Sequence, residues 1–83
     1  MVGYLVYSLS GHDKYKVYAV VKEDAQSVWL ADGDSRTIER LKKKNKKHVQ
    51  LIRHKLSVSD DTITNEMIKR EIKQYCKDMQ EVK

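Results

Sequence analysis

The chain of 83 residues has no proline, three glycines and a single cysteine. Without proline-rich or glycine-rich stretches it has neither a long disordered linker nor a collagenous segment. No run of about 18 apolar residues occurs, so no segment is expected to cross a membrane as a helix. Cys76 has no second cysteine for an internal disulfide. A lone thiol fits a reducing compartment, and the expected location is the cytoplasm. The apolar opening "MVGYLVYSLSG" has no basic stretch before it and no small-residue cleavage site. It reads as a strand and not as a signal peptide.

The signs of catalysis are also missing. A nucleophile needs a base, and the base needs a group that orients it. His12, His48 and His54 have no metal-ligand spacing with one another or with Cys76. There is no Walker-type glycine loop and no pair of carboxylates in an apolar setting. Cys76 falls on the apolar stripe of a helical segment and reads as a small buried hydrophobe. The chain is therefore expected not to be an enzyme and to use no cofactor or metal.

What the sequence does hold is positive charge, unevenly placed. The formal net charge is +5. Arg36 to Lys55 contains nine Lys/Arg and one acid, Glu39, a net of +8. The remaining residues hold eight basic and eleven acidic groups, a net of −3. Five lysines fall within the six residues Lys42 to Lys47, broken only by Asn45. A generally soluble surface mixes its signs. A concentrated block points to a polyanionic partner. A membrane-surface role would place the lysines on an amphipathic helix beside apolar anchors. Here they are read as a loop between strands, so no membrane partner is expected.

The first half reads as β. The expected strands are Tyr4–Ser8, Tyr15–Lys22, Ser27–Asp32, Arg36–Leu41 and His48–Ile52, joined by the polar turns "LSGHDK", "EDAQ" and "DGDS". In the second, Val17, Ala19 and Val21 share one face, and Tyr18 and Val20 the other. Trp29 is the largest core candidate, and Ile38 is expected to point inward. Five short strands with tight turns imply a small barrel or sandwich, and closure into a barrel would protect the edges. After a polar connector at Ser57–Asp61, a helix is expected from about Asn65 to about Gln80. Ile68, Ile72, Tyr75, Cys76 and Met79 recur at spacings of three and four. Thr64 is placed as its N-cap, and Ile63 and Ile68 as a hydrophobic staple.

The residue types in the basic block suit a polyanion with phosphates. A lysine neutralises a phosphate and releases a condensed counterion. Arg36 and Arg40 add planar forked donors that grip a phosphate through two bonds or stack on a base. Asn45 and His48 can bond base edges or a 2′-hydroxyl. An exposed Tyr15 or Tyr18 could stack on an unpaired base.

Two stretches resemble a known family. "SGHDKYKVYAVV" (Ser10–Val21) resembles the KOW motif. "WLADGDSRTIERLKKKNKKHVQ" (Trp29–Gln50) is similar to the second signature of the small bacterial KOW-domain RNA-binding proteins. These in turn are similar to a eukaryotic and archaeal large-subunit ribosomal protein containing the same domain. The resemblance covers about Val2 to Ile52. It implies a mainly β fold: a small SH3-like (KOW) β-barrel of about five strands over residues 1–56, completed in the same domain by the connector and amphipathic helix of 57–83. It also implies non-catalytic RNA binding, with ribosomal RNA favoured and ribosomal proteins as further neighbours. The chain is expected to be a monomer. Gly11 and Asp13 would shape the first loop. The RNA-binding residues carried over would be Lys14, Arg36, Lys42, Lys43, Lys44, Asn45, Lys47 and His48, and the basic block itself adds Arg40 and Lys46. The alternative is an SH3-like protein–protein interaction module with an acidic partner. Charge alone would also permit nonspecific DNA binding.

The chain departs from the family at two positions. The family carries glycine where this chain has Tyr15, and proline where it has Leu41. A positive φ there would cost tyrosine roughly 1 kcal/mol or more, so the first loop is expected to be rebuilt. Losing the proline frees a backbone N–H and loosens φ, and "ERLKKKNKKH" gains the option of a helical turn.

Overall fold

The computed structural model describes residues 1–12, 14–56 and 63–81. The expected connector at Ser57–Asp61, Asp13 and the side chain of Met79 lie outside the described residues. Five strands, β1 (Tyr4–Ser8), β2 (Val17–Glu23), β3 (Ser27–Ala31), β4 (Lys42–Asn45) and β5 (Val49–Lys55), precede one helix, α1 (Asn65–Glu81). A 3-10 turn at Lys46–His48 joins β4 to β5. All strand pairs are antiparallel, in the order β4-β3-β2-β1-β5. The sheet is mainly a meander in which the last strand returns to the side of the first.

Alternation along each strand sorts the apolar residues onto two faces. Leu5, Val17, Ala19, Ala31 and Ile52 lie on one face, with Ile68 of α1 and Leu56 against them. Tyr7, Val21, Ile38, Leu41, Ile63, Ile72, Tyr75 and Cys76 pack around this cluster. Val6, Tyr18, Val20, Val28, Leu30 and Val49 form a second cluster on the other face. β3 and β5 are three places apart in the strand order, yet both contribute to it. The sheet therefore curls over this second cluster. Its edges, β4 and β5, do not pair with each other, so the closed barrel expected from the sequence is an open curled sheet. The strand at one edge, β4, has only four residues. Its neighbour in sequence, β5, spends its hydrogen bonds on β1.

The helix forms where its period and caps place it. The Thr64 hydroxyl accepts from the Met67 N–H at 3.2 Å, and Ile63 and Ile68 meet in the first cluster. The stripe of α1 docks on the chain's own sheet, with Tyr7 and Tyr75 hydroxyls 2.9 Å apart and His54 edge-on to the Tyr75 ring. Burial, then the Tyr7 hydroxyl, pushes the Tyr75 phenol up to about 12. At its start α1 holds the β3–β4 connection: the Ile38 N–H donates to Asn65 Oδ1 at 2.7 Å, and the Asn65 amide donates to Glu39 at 2.9 Å. A Cβ on Gly33, whose φ is +79°, would overlap the Asn65 carbonyl oxygen.

The expected fourth strand is the main correction. Arg36–Leu41 is not a strand; the connection from β3 runs through it as successive turns. Asp32 organises the first. Its Oδ1 accepts from the N–H groups of Asp34 and Arg36, and its Oδ2 from the Ser35 hydroxyl and the Lys16 ammonium at 2.7 Å. Burial opposes the charge of Asp32, but these four donors hold its carboxyl well below the usual carboxylate range. An Arg40 N–H to Thr37 carbonyl bond closes the second turn. Ile38 does point inward, as expected, but from a turn that Asn65 fastens. The fourth strand instead begins at Lys42, inside the lysine block.

Candidate nucleic-acid interface

A lysine-rich edge strand has a simple physical consequence. Successive side chains leave a strand in opposite directions, so neighbouring ammonium groups are sent apart. Lys42 opposes Leu30 and Lys44 opposes Val28, both on the face of the second cluster. Each is half-buried, and the Lys44 ammonium donates to the Ser10 carbonyl at 3.0 Å. Lys43 opposes Trp29 and Asn45 opposes Ser27, on the other face. The block is thus divided by the pleat, which relieves much of the repulsion that the one-dimensional sequence suggests. Lysines on an edge strand also discourage pairing with a foreign sheet.

The 3-10 turn continues the division. Asn45 caps it, its Oδ1 accepting from the Lys47 N–H at 3.0 Å. Lys46 is half-buried and paired with Glu23 at 2.9 Å. Glu23 also binds the Met1 amino group, and that group, then Lys46, draws its carboxyl down to about 2. Lys47 and His48 are exposed. The His48 carbonyl accepts from Leu9, so the turn lies beside the first loop that carries Lys14. Lys14 is exposed, with its ammonium 5.2 Å from the Tyr15 ring centroid. Arg36 and Arg40 are exposed on the connection that leads into β4.

The ten sequence-derived positions therefore fall into two groups. Lys14, Arg36, Arg40, Lys43, Asn45, Lys47 and His48 are exposed. Lys42, Lys44 and Lys46 are half-buried, with Lys44 and Lys46 bonded to other parts of the sheet. No group of three or more metal-ligating side chains occurs among the described residues. No helix among them is long and apolar enough to cross a membrane.

Of the two tyrosines offered for stacking, one is excluded and one stays exposed. Tyr18 is 2% exposed and belongs to the second cluster, so it is not available for stacking. Tyr15 is 68% exposed with φ +71°, the left-handed conformation a tyrosine resists. Its N–H donates to the Ser8 carbonyl, which holds it there. Tyr15 also rims a groove of about 490 Å³ floored by Val17, Ile72 and Cys76.

Trp29 is the residue that sequence reasoning misplaced. It was expected in the core, but it is half-buried and belongs to neither cluster. The Lys22 and Lys43 ammonium groups stand 5.0 and 5.3 Å from its ring centroid. A bulge in β2 brings Lys22 there. Val20 opposes Leu30, but Lys22 and not Val21 opposes Trp29. The pattern in "SVWLA" carried a usable signal. Val28 and Leu30 claim one face, which leaves Trp29 on the other.

The chain matches no known family model and no curated protein.

Proposed function

We propose that this chain is a non-catalytic RNA-binding module of the SH3-like, KOW-type class, with ribosomal RNA as the favoured partner. The observation that carries the reading is the position of the lysine block. It forms an edge strand and the turn after it, and Lys43 and Lys47 are exposed there with no ion-pair partner among the described residues. The strand and turn fix the backbone beneath these charges, so little backbone freedom is left to lose on binding, while the lysine stems stay adaptable. A curled five-strand sheet that brings β5 back beside β1 supports the SH3-like assignment, and the two sequence signatures support the KOW one.

Five of the exposed positions are cations: Lys14, Arg36, Arg40, Lys43 and Lys47. If each meets a phosphate, the logarithm of the affinity falls with a slope of about −3 to −4 against the logarithm of salt concentration. The test is RNA affinity at several salt concentrations for the natural chain and for Lys43→Glu with Lys47→Glu. The double variant is expected to bind far more weakly with a shallower slope, and to melt at the same temperature. Equal affinity in the two proteins would remove the reading. A stable complex with an acidic protein after nuclease treatment would then favour the protein-interaction alternative.

A further inference from the structure

We propose that Trp29 is a stacking platform for one unpaired RNA base, with Lys22 and Lys43 taking the phosphates on either side of it. The inference rests on the RNA-binding reading above and names the form of RNA the site takes: single-stranded or looped, in preference to continuous duplex.

Three observations converge on Trp29. The first is its exclusion from both apolar clusters. The largest apolar side chain of a small domain normally contributes most to its core. Here the smaller Val28 and Leu30 on either side are fully buried, and the indole is left partly open. No described group of the protein accepts a hydrogen bond from its N–H.

The second is the way the sheet surrounds it. Regular pairing would set Val21 opposite Trp29. The β2 bulge substitutes Lys22, and β4 supplies Lys43 from the other side. Bulges of this kind redirect a side chain. The result is an aromatic ring between two cations, one on each neighbouring strand. Asn45 lies one pleat further along β4 on the same face, and Lys47 follows in the turn.

The third is the state of the nearby acids. Glu23 is held by the Met1 amino group and Lys46. Asp24 is turned back on its own turn, its Oδ1 accepting from the Gln26 and Ser27 N–H groups, and these bonds lower its carboxyl below the usual range. Asp24 feels the charge of Lys43 at longer range, but no described carboxylate lies within salt-bridge distance of Lys22 or Lys43. Their ammonium groups rest against the indole, a weak contact at an exposed site. A base can take the ring, and the flexible lysine stems can swing to the phosphates that arrive with it. In a duplex each base is already stacked on its neighbours and shielded from the side, so only the phosphates remain for the lysines.

Trp29 is the only tryptophan, so its fluorescence reports this site alone. The experiment titrates the full chain with an unstructured RNA oligonucleotide and with a blunt RNA duplex of equal length, at one salt concentration. Binding is read from the anisotropy of a label on the RNA, and stacking from Trp29 emission. The expected result is quenching by the single strand and not by the duplex. Trp29→Leu should lose about tenfold in affinity for the single strand and little for the duplex, while Trp29→Tyr keeps most of it. Thermal melting of both variants checks the fold. Anisotropy showing binding with unchanged Trp29 emission overturns the proposal and leaves RNA binding intact. Equal single-strand affinity in the natural chain and Trp29→Leu does the same. No binding of either RNA removes both.

Discussion

Two regions of one sheet face treat polar groups in opposite ways. Where α1 and the β3–β4 connection cover the sheet, polar groups find each other. Asp32 holds Lys16, Asn65 holds Ile38 and Glu39, Tyr7 meets Tyr75, and His54 stands 3.5 Å from Glu71. At the corner formed by β3, β4 and the 3-10 turn, the exposed cations Lys22, Lys43 and Lys47 have no salt-bridge partner among the described residues, and a half-buried tryptophan lies between two of them. The first region satisfies its groups internally, which stabilises the fold. The second keeps charge and aromatic surface available, which is what the proposed RNA reading needs. Charge density alone does not distinguish them, since Lys42, Lys44 and Lys46 come from the same run as Lys43.

The contrast breaks most sharply at Gly33. Alanine there would press its Cβ into the backbone of Asn65 and would be strained by the positive φ. Gly33→Ala should lower stability by roughly 3 to 4 kcal/mol in chemical denaturation, by lifting α1 from the connection. RNA affinity of the fraction that remains folded should not change.

A second comparison sets one lysine against another. Lys16→Ala leaves Asp32, only 7% exposed, without its cation, and should cost about 2 kcal/mol of stability with RNA affinity little changed. Lys43→Ala should do the reverse, weakening RNA binding while the melting temperature holds. Equal effects of the two substitutions on both quantities would erase the distinction between the regions.

Acid sharpens the same point. Asp32 and Glu23 both ionise at lower pH in the folded chain than in the unfolded one. Their contribution is therefore complete above the ordinary carboxylate values, 4.5 for Glu23 and 3.8 for Asp32, and declines as pH falls, toward about 2 for Glu23 and lower still for Asp32. Unfolding free energy measured from pH 6 to pH 2 should decline most below pH 4.5. Lys16→Ala should flatten part of that decline, and Lys43→Ala should leave it in place.

The smallest effect is expected at Tyr15. Glycine relieves the left-handed backbone, so Tyr15→Gly should stabilise the fold by about 1 kcal/mol despite the loss of the exposed contact with Lys14. A lower melting temperature would mean that the ring contributes more than the strain costs.

Much of the fold was legible because local signals agreed. The Tyr4–Ser8 and Ser27 strand starts, the alternation of Val17 to Val21, the Thr64 cap and the Ile63–Ile68 staple all follow from residues within a few positions of one another. The connection at Arg36–Leu41 was not legible in this way. Ile38 and Leu41 look like a strand's buried residues, but the partner that holds Ile38 is Asn65, 27 residues away. The site was half legible. The lysine block itself was plain. Which lysines remain exposed was not, because that depends on what lies across the sheet: Leu30, Val28, Ser10 and Glu23.

By itself the sequence determined a mainly β domain with one capped helix and a single dense block of positive charge. These properties depend on period, turn chemistry and composition, which act over one or two turns of chain. Tertiary structure decided that the block is an edge strand running into a 3-10 turn and not a loop. It also decided that the pleat sends Lys43 to Trp29 and Lys44 to Ser10, and that a one-residue bulge sets Lys22 opposite the indole. Strand register is a relation between segments, and a shift of one residue exchanges the two faces.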